Sequence, residues 1–337
     1  MLPVLLCFAC SPALFFSCTY GQDMTTDGNI IQTTEISFPF GKSGTEEIGI
    51  DCCQVLIFDN DTHKRLDSRL FFNMDEALDG KLEATSGTGE KIIVLLCNLP
   101  EKIPEWEDVL NIKALGKVSV ALENESFRRP VLSGCADFVA GETVRVELRP
   151  LTARIRLREI CCDFRGTAYA FENIKDVRVY LTNVNADSGL IPRDTGFGTG
   201  TTGQRYLNNG GLSLPDCSGF REKGLIFREL GKDVGMDPVQ AGLDFLCYAN
   251  TNTEEAFGRP LTRLVIEGKI AGKTWYWPID LCKMADGGIK PGENYDIRLK
   301  LLRTGTDNPD TPVRLKDGEI KLEIEQWNEK EKYPVYF

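Results

Sequence analysis

The sequence contains a single histidine, His63, in 337 residues. Most zinc sites, histidine general bases and Ser-His-Asp triads need that side chain, so catalysis of those kinds has almost nothing to build on. Positive charge is also scarce. Lys and Arg number 39 against 50 Asp and Glu, a formal net charge of −11, and no basic cluster offsets it. Such a chain repels polyphosphate, which argues against a nucleic-acid partner. After the first apolar stretch no segment approaches the ~20 apolar residues of a membrane-spanning helix. Helical spacing is nearly absent as well: only Glu105 to Leu115 shows it, enough for two or three turns at most. What remains, at 42% hydrophobic and 26% charged residues, is a folded chain of about two domains. It is expected to be non-enzymatic and to need no cofactor or metal.

Met1 to Ser17 is apolar and uncharged, broken by Pro3, Ser11 and Pro12. That is the hydrophobic region of a signal peptide rather than a membrane span, and its missing basic segment suggests a natural start upstream. Ser17 directly precedes Cys18, and the polar Thr19-Tyr20-Gly21-Gln22-Asp23 follows. This order fits a lipobox, with Cys18 as the lipidated first residue holding the chain on a membrane; an ordinary secretory signal is the alternative. Of twelve cysteines, two fall in the signal and Cys18 would carry lipid, leaving an odd nine. Most of these sit in β-like apolar runs as small buried hydrophobes. The doublets Cys52-Cys53 and Cys161-Cys162 point to opposite strand faces and make no chelate.

The rest reads as strands. Thr34 to Phe40 alternates apolar and polar, with Pro39 suggesting a sheet edge. Val55 to Phe58 and Lys91 to Asn98 are buried strands, and Glu142 to Leu148 alternates strictly. Arg149-Pro150 interrupts, and a new pattern begins at Leu151, which places a domain boundary between 150 and 151. Strands then recur at Val177 to Leu181, Leu243 to Tyr248, Leu261 to Glu267, Lys273 to Ile279, Tyr295 to Leu302 and Glu319 to Glu325. Asn185 to Asp216 is a Gly/Thr/Asn-rich loop, protruding or disordered. Hence the expected layout is an all-β chain of two antiparallel sandwiches: signal 1–17, first domain 18–150, second domain 151–337.

Three motifs look chemical and are better explained structurally. Gly198-x-Gly200-x-x-Gly203 has no helix after it to receive a pyrophosphate. Asp59-Asn60-Asp61 begins like a calcium loop, but Lys64 stands at the glycine position and Leu70 at the glutamate position, so a solvated turn is expected. His63 lies in that turn and is expected to be exposed and unpartnered. Trp275 and Trp277 share one strand face, as core or as a stacking platform for sugars.

Taken in order, several segments resemble the fimbrillins of Bacteroidetes, the type V pilins. They are the lipobox with an isolated strand behind it, the junction Val144 to Ile155, and Tyr248-Ala249-Asn250 with Pro260 to Gly268 and Thr274 to Ile279. The most specific is Asn294-Tyr295-Asp296-Ile297 with Arg303 to Asp310. The resemblance implies two transthyretin-like sandwiches and a lipoprotein subunit of an outer-membrane surface fimbria serving adhesion. Its partners would be copies of itself, other fimbrial subunits and receptors on host or bacterial surfaces. It further implies that a protease cuts behind the first strand, which leaves, and that a neighbour's C-terminal extension fills the vacancy. Carried onto this chain, Ile36, Phe38 and Phe40 are the departing plugs, and loss of Thr34 to Phe40 would open a sheet edge. Tyr333, Val335, Tyr336 and Phe337 are the donor plugs. The loop Gly41 to Asp51 has no arginine, unlike the family, so Lys42 is the candidate cleavage residue; an uncut, still lipidated subunit would be a basal anchor. A monomeric glycan-binding lipoprotein is the rival reading.

Overall fold

A computed structural model describes residues 32–37, 49–72, 81–100, 108–191, 205–208, 223–256, 258–285, 287–313 and 320–326. The first half supplies β1 (Gln32–Ser37), β2 (Cys52–Asp59), β3 (Arg65–Phe72), β4 (Lys81–Ser86), β5 (Glu90–Cys97), α1 (Ile112–Leu115), β6 (Ser119–Ala121), β7 (Leu132–Val139), β8 (Val144–Arg145) and β9 (Arg149–Pro150). The second half opens with β10 (Thr152–Cys162), β11 (Lys175–Thr182), β12 (Val184–Asn185), β13 (Asp187–Gly189), β14 (Tyr206–Leu207) and β15 (Phe227–Glu229). It ends with β16 (Val239–Tyr248), β17 (Arg263–Ile270), β18 (Lys273–Asp280), α2 (Leu281–Met284), β19 (Glu293–Leu301) and β20 (Ile320–Gln326).

The all-β expectation holds, as two sandwiches. In the first, a five-stranded sheet ordered β3-β2-β5-β7-β9 faces a three-stranded sheet ordered β4-β1-β8. In the second, β16-β10-β19-β20 faces β15-β11-β17-β18. The pairing is not purely antiparallel, because β1 runs parallel to β8 and β10 parallel to β19. The sheet containing β9 ends at Pro150, and β10 of the next sandwich begins at Thr152.

The continuous apolar runs of β2 and β5 have a simple cause: both faces of their sheet are covered. Cys53, Val55, Ile57, Ile93, Leu95 and Cys97 point into a small core closed by β1 and β8. Leu56, Phe58, Ile92, Val94 and Leu96 point the other way, into a core continuous with the second sandwich. The halves are also joined by backbone. β6 pairs antiparallel with β13, and Leu122 N–H donates to Ala186 O at 2.8 Å. Ser133 Oγ donates to Leu190 O at 2.6 Å.

Local expectations failed in three places. The helix predicted from Glu105 is a single turn within the described residues. Arg65 N–H donates to Leu110 O and Ile112 N–H to His63 O, so pairing with the β2–β3 turn holds the preceding residues extended. Asn111 then caps the turn, its Oδ1 accepting from Ala114 N–H at 2.9 Å. His63 is half-buried rather than exposed, with φ 58°, and its carbonyl is the acceptor just named, so it is not unpartnered. Glu142 to Leu148 makes ladder bonds only at β8, although burial still alternates along Val144, Val146 and Leu148. Of the Gly-rich stretch, residues 192–204 and 209–216, the dinucleotide-like glycines among them, lie outside the described residues; the described part pairs through β12, β13 and β14, and Leu190 is fully buried.

Candidate functional site

β1 is where the sequence resemblance concentrates function, and its placement corrects the expected sheet edge. It is the middle strand of its sheet. Six residues pair antiparallel with β4, from Gln32↔Ser86 to Ser37↔Lys81. Two pair parallel with β8, Ile36↔Val144 and Ser37↔Arg145. A strand held on both sides leaves a slot when it departs, with unpaired backbone on two walls, and not an edge. The described strand begins at Gln32, two residues before the predicted start; residues 38–40 lie outside the described residues.

Ile36 is the anchor. It is fully buried in the small core with Cys53, Val55, Ile57, Ile93, Leu95 and Val144. Burying one such side chain is worth ~1.5–3 kcal/mol. Gln32 and Glu35 are only half-buried. Gly141, at φ +89°, passes over Gln32: a Cβ there would sit 3.1 Å from its Oε1. Among the described residues, Ile36 is the deep apolar contact of β1, beside its ladder bonds.

The other residues singled out in sequence, Cys18, Phe38, Phe40, Lys42, Tyr333, Val335, Tyr336 and Phe337, lie outside the described residues. The last described strand before that C-terminal group, β20, is the outer strand of its sheet, bonded among the described residues to β19. Its Ile324 is exposed, while Glu323 is bonded to Arg298 at 3.2 Å and Lys321 at 2.6 Å.

The alternative chemical sites resolve into structure. Trp277 is buried in the large core, its Nε1 donating to Arg303 O at 2.9 Å. Trp275 is half-buried, with Tyr169 edge-on at 6.2 Å and the Lys273 ammonium 4.0 Å from its ring centre. Asp59 closes the β2–β3 turn by accepting from both Thr62 N–H and Thr62 Oγ1 at 2.8 Å, the turn expected in place of a calcium loop. Among the described residues no cluster of His, Cys, Asp and Glu could hold a metal ion, and no helix is long and apolar enough to cross a membrane.

Two buried carboxylates were invisible in the sequence. Glu125 accepts from Val131 N–H at 2.9 Å and from Tyr248 O–H at 3.0 Å, joining the first half to β16. Burial lifts its carboxyl to about 7, against the opposing effect of those two bonds. Glu267 accepts from Tyr180 O–H at 3.2 Å and Arg178 at 3.3 Å; burial raises it too, with Arg178 opposing. Both act as clasps, Glu125 through Val131 and Tyr248 and Glu267 through Tyr180 and Arg178.

Neither a family model nor a curated protein matches the chain in sequence. Solved structures do match in shape. A fimbrilin from Porphyromonas gingivalis W83 superposes with a TM-score of 0.62 at 12% identity, over 89% of this chain and 98% of the other. A candidate cell adhesion protein from Bacteroides eggerthii gives 0.62 at 16% identity, over 88% and 96%. Another from Parabacteroides distasonis gives 0.62 at 12%, over 89% and 98%. Over nearly nine-tenths of its length the chain shares one fold with a fimbrilin and with these adhesion-protein structures.

Proposed function

We propose that the chain is a structural, non-enzymatic subunit of a cell-surface fimbria serving adhesion. It is exported as a lipoprotein through Cys18 and assembled at the outer membrane by strand exchange between copies. The observation that carries this reading is the seat of β1, an inserted strand over its own small core, separate from the core that unites the two halves. When β1 leaves after a cut at Lys42, β4 and β8 present unpaired backbone around the hollow left by Ile36. A neighbour's tail, with Tyr333, Val335, Tyr336 and Phe337 as plugs, restores the hydrogen bonds and the apolar contacts together. The shared fold with a fimbrilin supports the reading.

A second reading, the uncut basal anchor, is favoured by the absence of arginine between Gly41 and Asp51. Limited trypsin digestion of the purified precursor separates the two. The shaft reading expects a cut after Lys42 followed by a heat-stable ladder on a denaturing gel, abolished by truncation after Gln326. A clipped chain that stays monomeric with its C-terminus intact overturns the shaft reading. For the anchor, Cys18→Ala should abolish acyl labelling and release from the membrane should follow.

A further inference from the structure

Cys53 and Cys97 are direct neighbours across the β2–β5 ladder. Asn98 N–H donates to Cys52 O, and Asn60 N–H to Glu90 O, so the hydrogen-bonded pairs of this ladder are 52/98, 60/90 and the alternate pairs between them. Cys53/Cys97 therefore occupies a non-hydrogen-bonded position, where Cα atoms approach to about 4.5 Å and side chains are closest. That spacing lies inside the range a disulfide spans. The two thiols lie in hydrogen-bond contact, both fully buried in the small core.

No other described cysteine competes. Cys52, next in the chain, points to the opposite face of the strand, and Cys135 on β7 stands opposite Val94 and packs on the large core. Both Cys53 and Cys97 are free thiols in the structure.

We propose that Cys53 and Cys97 form a redox modification site, closing a cross-strand disulfide between β2 and β5 by exchange with a disulfide donor. One thiolate attacks the donor's S–S bond, forming a mixed disulfide and expelling one donor thiolate. The second cysteine thiolate attacks that protein sulfur, forming the Cys53–Cys97 bond and expelling the other. The protein loses two electrons and two protons, and the donor is reduced to two thiols.

The timing follows from the surroundings. The Cys53 contact and then burial hold the Cys97 thiol well above its ordinary range, and neither sulfur meets solvent in the closed sandwich. Exchange needs an accessible thiolate, so it belongs to the stage before the β4-β1-β8 sheet settles, or to its opening. The bond then staples the five-stranded sheet on the side of the small core, where departure of β1 removes support.

The test uses the whole chain, reduced, unfolded and refolded in a mixture of reduced and oxidised glutathione. Free thiols are then alkylated and the product is weighed and mapped. The expected product lacks two hydrogens and contains one link joining the Cys97 peptide to the Cys52-Cys53 peptide. The link survives in Cys52→Ala and disappears in Cys53→Ala and in Cys97→Ala. Adding oxidised glutathione to the folded, reduced chain forms it at least about tenfold more slowly than refolding does, because the thiols are covered. Complete alkylation of the refolded wild type, a link that persists in Cys53→Ala, or equal rates from the folded and unfolded chain would each overturn the proposal.

Discussion

The two sandwiches close their interiors in different ways. The second pairs two four-stranded sheets over a large core that runs through Trp277, Phe245, Tyr295 and Ile266 and on into the first half through Leu56, Phe58 and Val94. The first sandwich has a second, smaller core on its far side, capped by only three strands, one of them two residues long. The larger core welds the halves; the smaller one joins Ile36 of β1 and Val144 of β8 to β2, β5 and β7. The contacts of Ile36 in the small core are thus kept apart from those that join the two halves.

The largest expected effect tests the weld. Trp277→Ala should cost about 3–5 kcal/mol, the range for removing a buried large aromatic. Because the large core spans both halves, urea should still unfold the chain in one transition, with fluorescence and circular dichroism coinciding. Two separated transitions would break the comparison.

Next comes the clasp between the halves. The carboxyl of Glu125 is raised in the folded chain from 4.5 to about 7, so the folded state binds the proton more tightly than the unfolded one. The contribution of Glu125 to stability is therefore fullest below pH 4.5, falls as pH rises toward about 7, and levels off above it. The loss is on the order of 3 kcal/mol. Glu125→Gln keeps an acceptor for Val131 N–H and a polar partner for Tyr248, and should flatten that window. Unfolding midpoints measured across the window check this, and an unchanged slope in the variant would remove Glu125 as its source.

Ile36→Ala should cost about 2–3 kcal/mol, since Ile-to-Ala changes in cores start near 2 and this site opens locally. Hydrogen exchange should accelerate in β1, β4 and β8 while β17 and β18 keep their protection. Acceleration spread evenly over both sandwiches would mean that the cores are not separable. Smallest of all, Asp176→Asn removes an exposed ion pair to Lys269 at 2.9 Å. Its unfolding midpoint should match the wild type.

Much of the fold was legible because its causes are local. Alternation marked β11, β16, β18, β19 and β20 to within a few residues, and Arg149-Pro150 marked the handover from one sheet to the next. The helix at Glu105 was overread because nothing local reveals that Leu110 and Ile112 bond to the β2–β3 turn. His63 was misjudged for the same reason. Glu125 carried no signal at all: its partners, Val131 and Tyr248, lie 6 and 123 residues away. A proline at 39 suggested an edge, yet β1 lies between two strands, a consequence of long-range pairing.

From the sequence alone came the strand content, the net negative charge, the single histidine and the buried character of the β2 and β5 runs. All of these follow from side-chain type and period along a single segment. Tertiary structure decided which strand lies beside which, that one core is shared and the other separate, and that Cys53 meets Cys97. Those outcomes depend on register, where a shift of one residue turns every side chain to the other face, and only the packing of distant segments selects it.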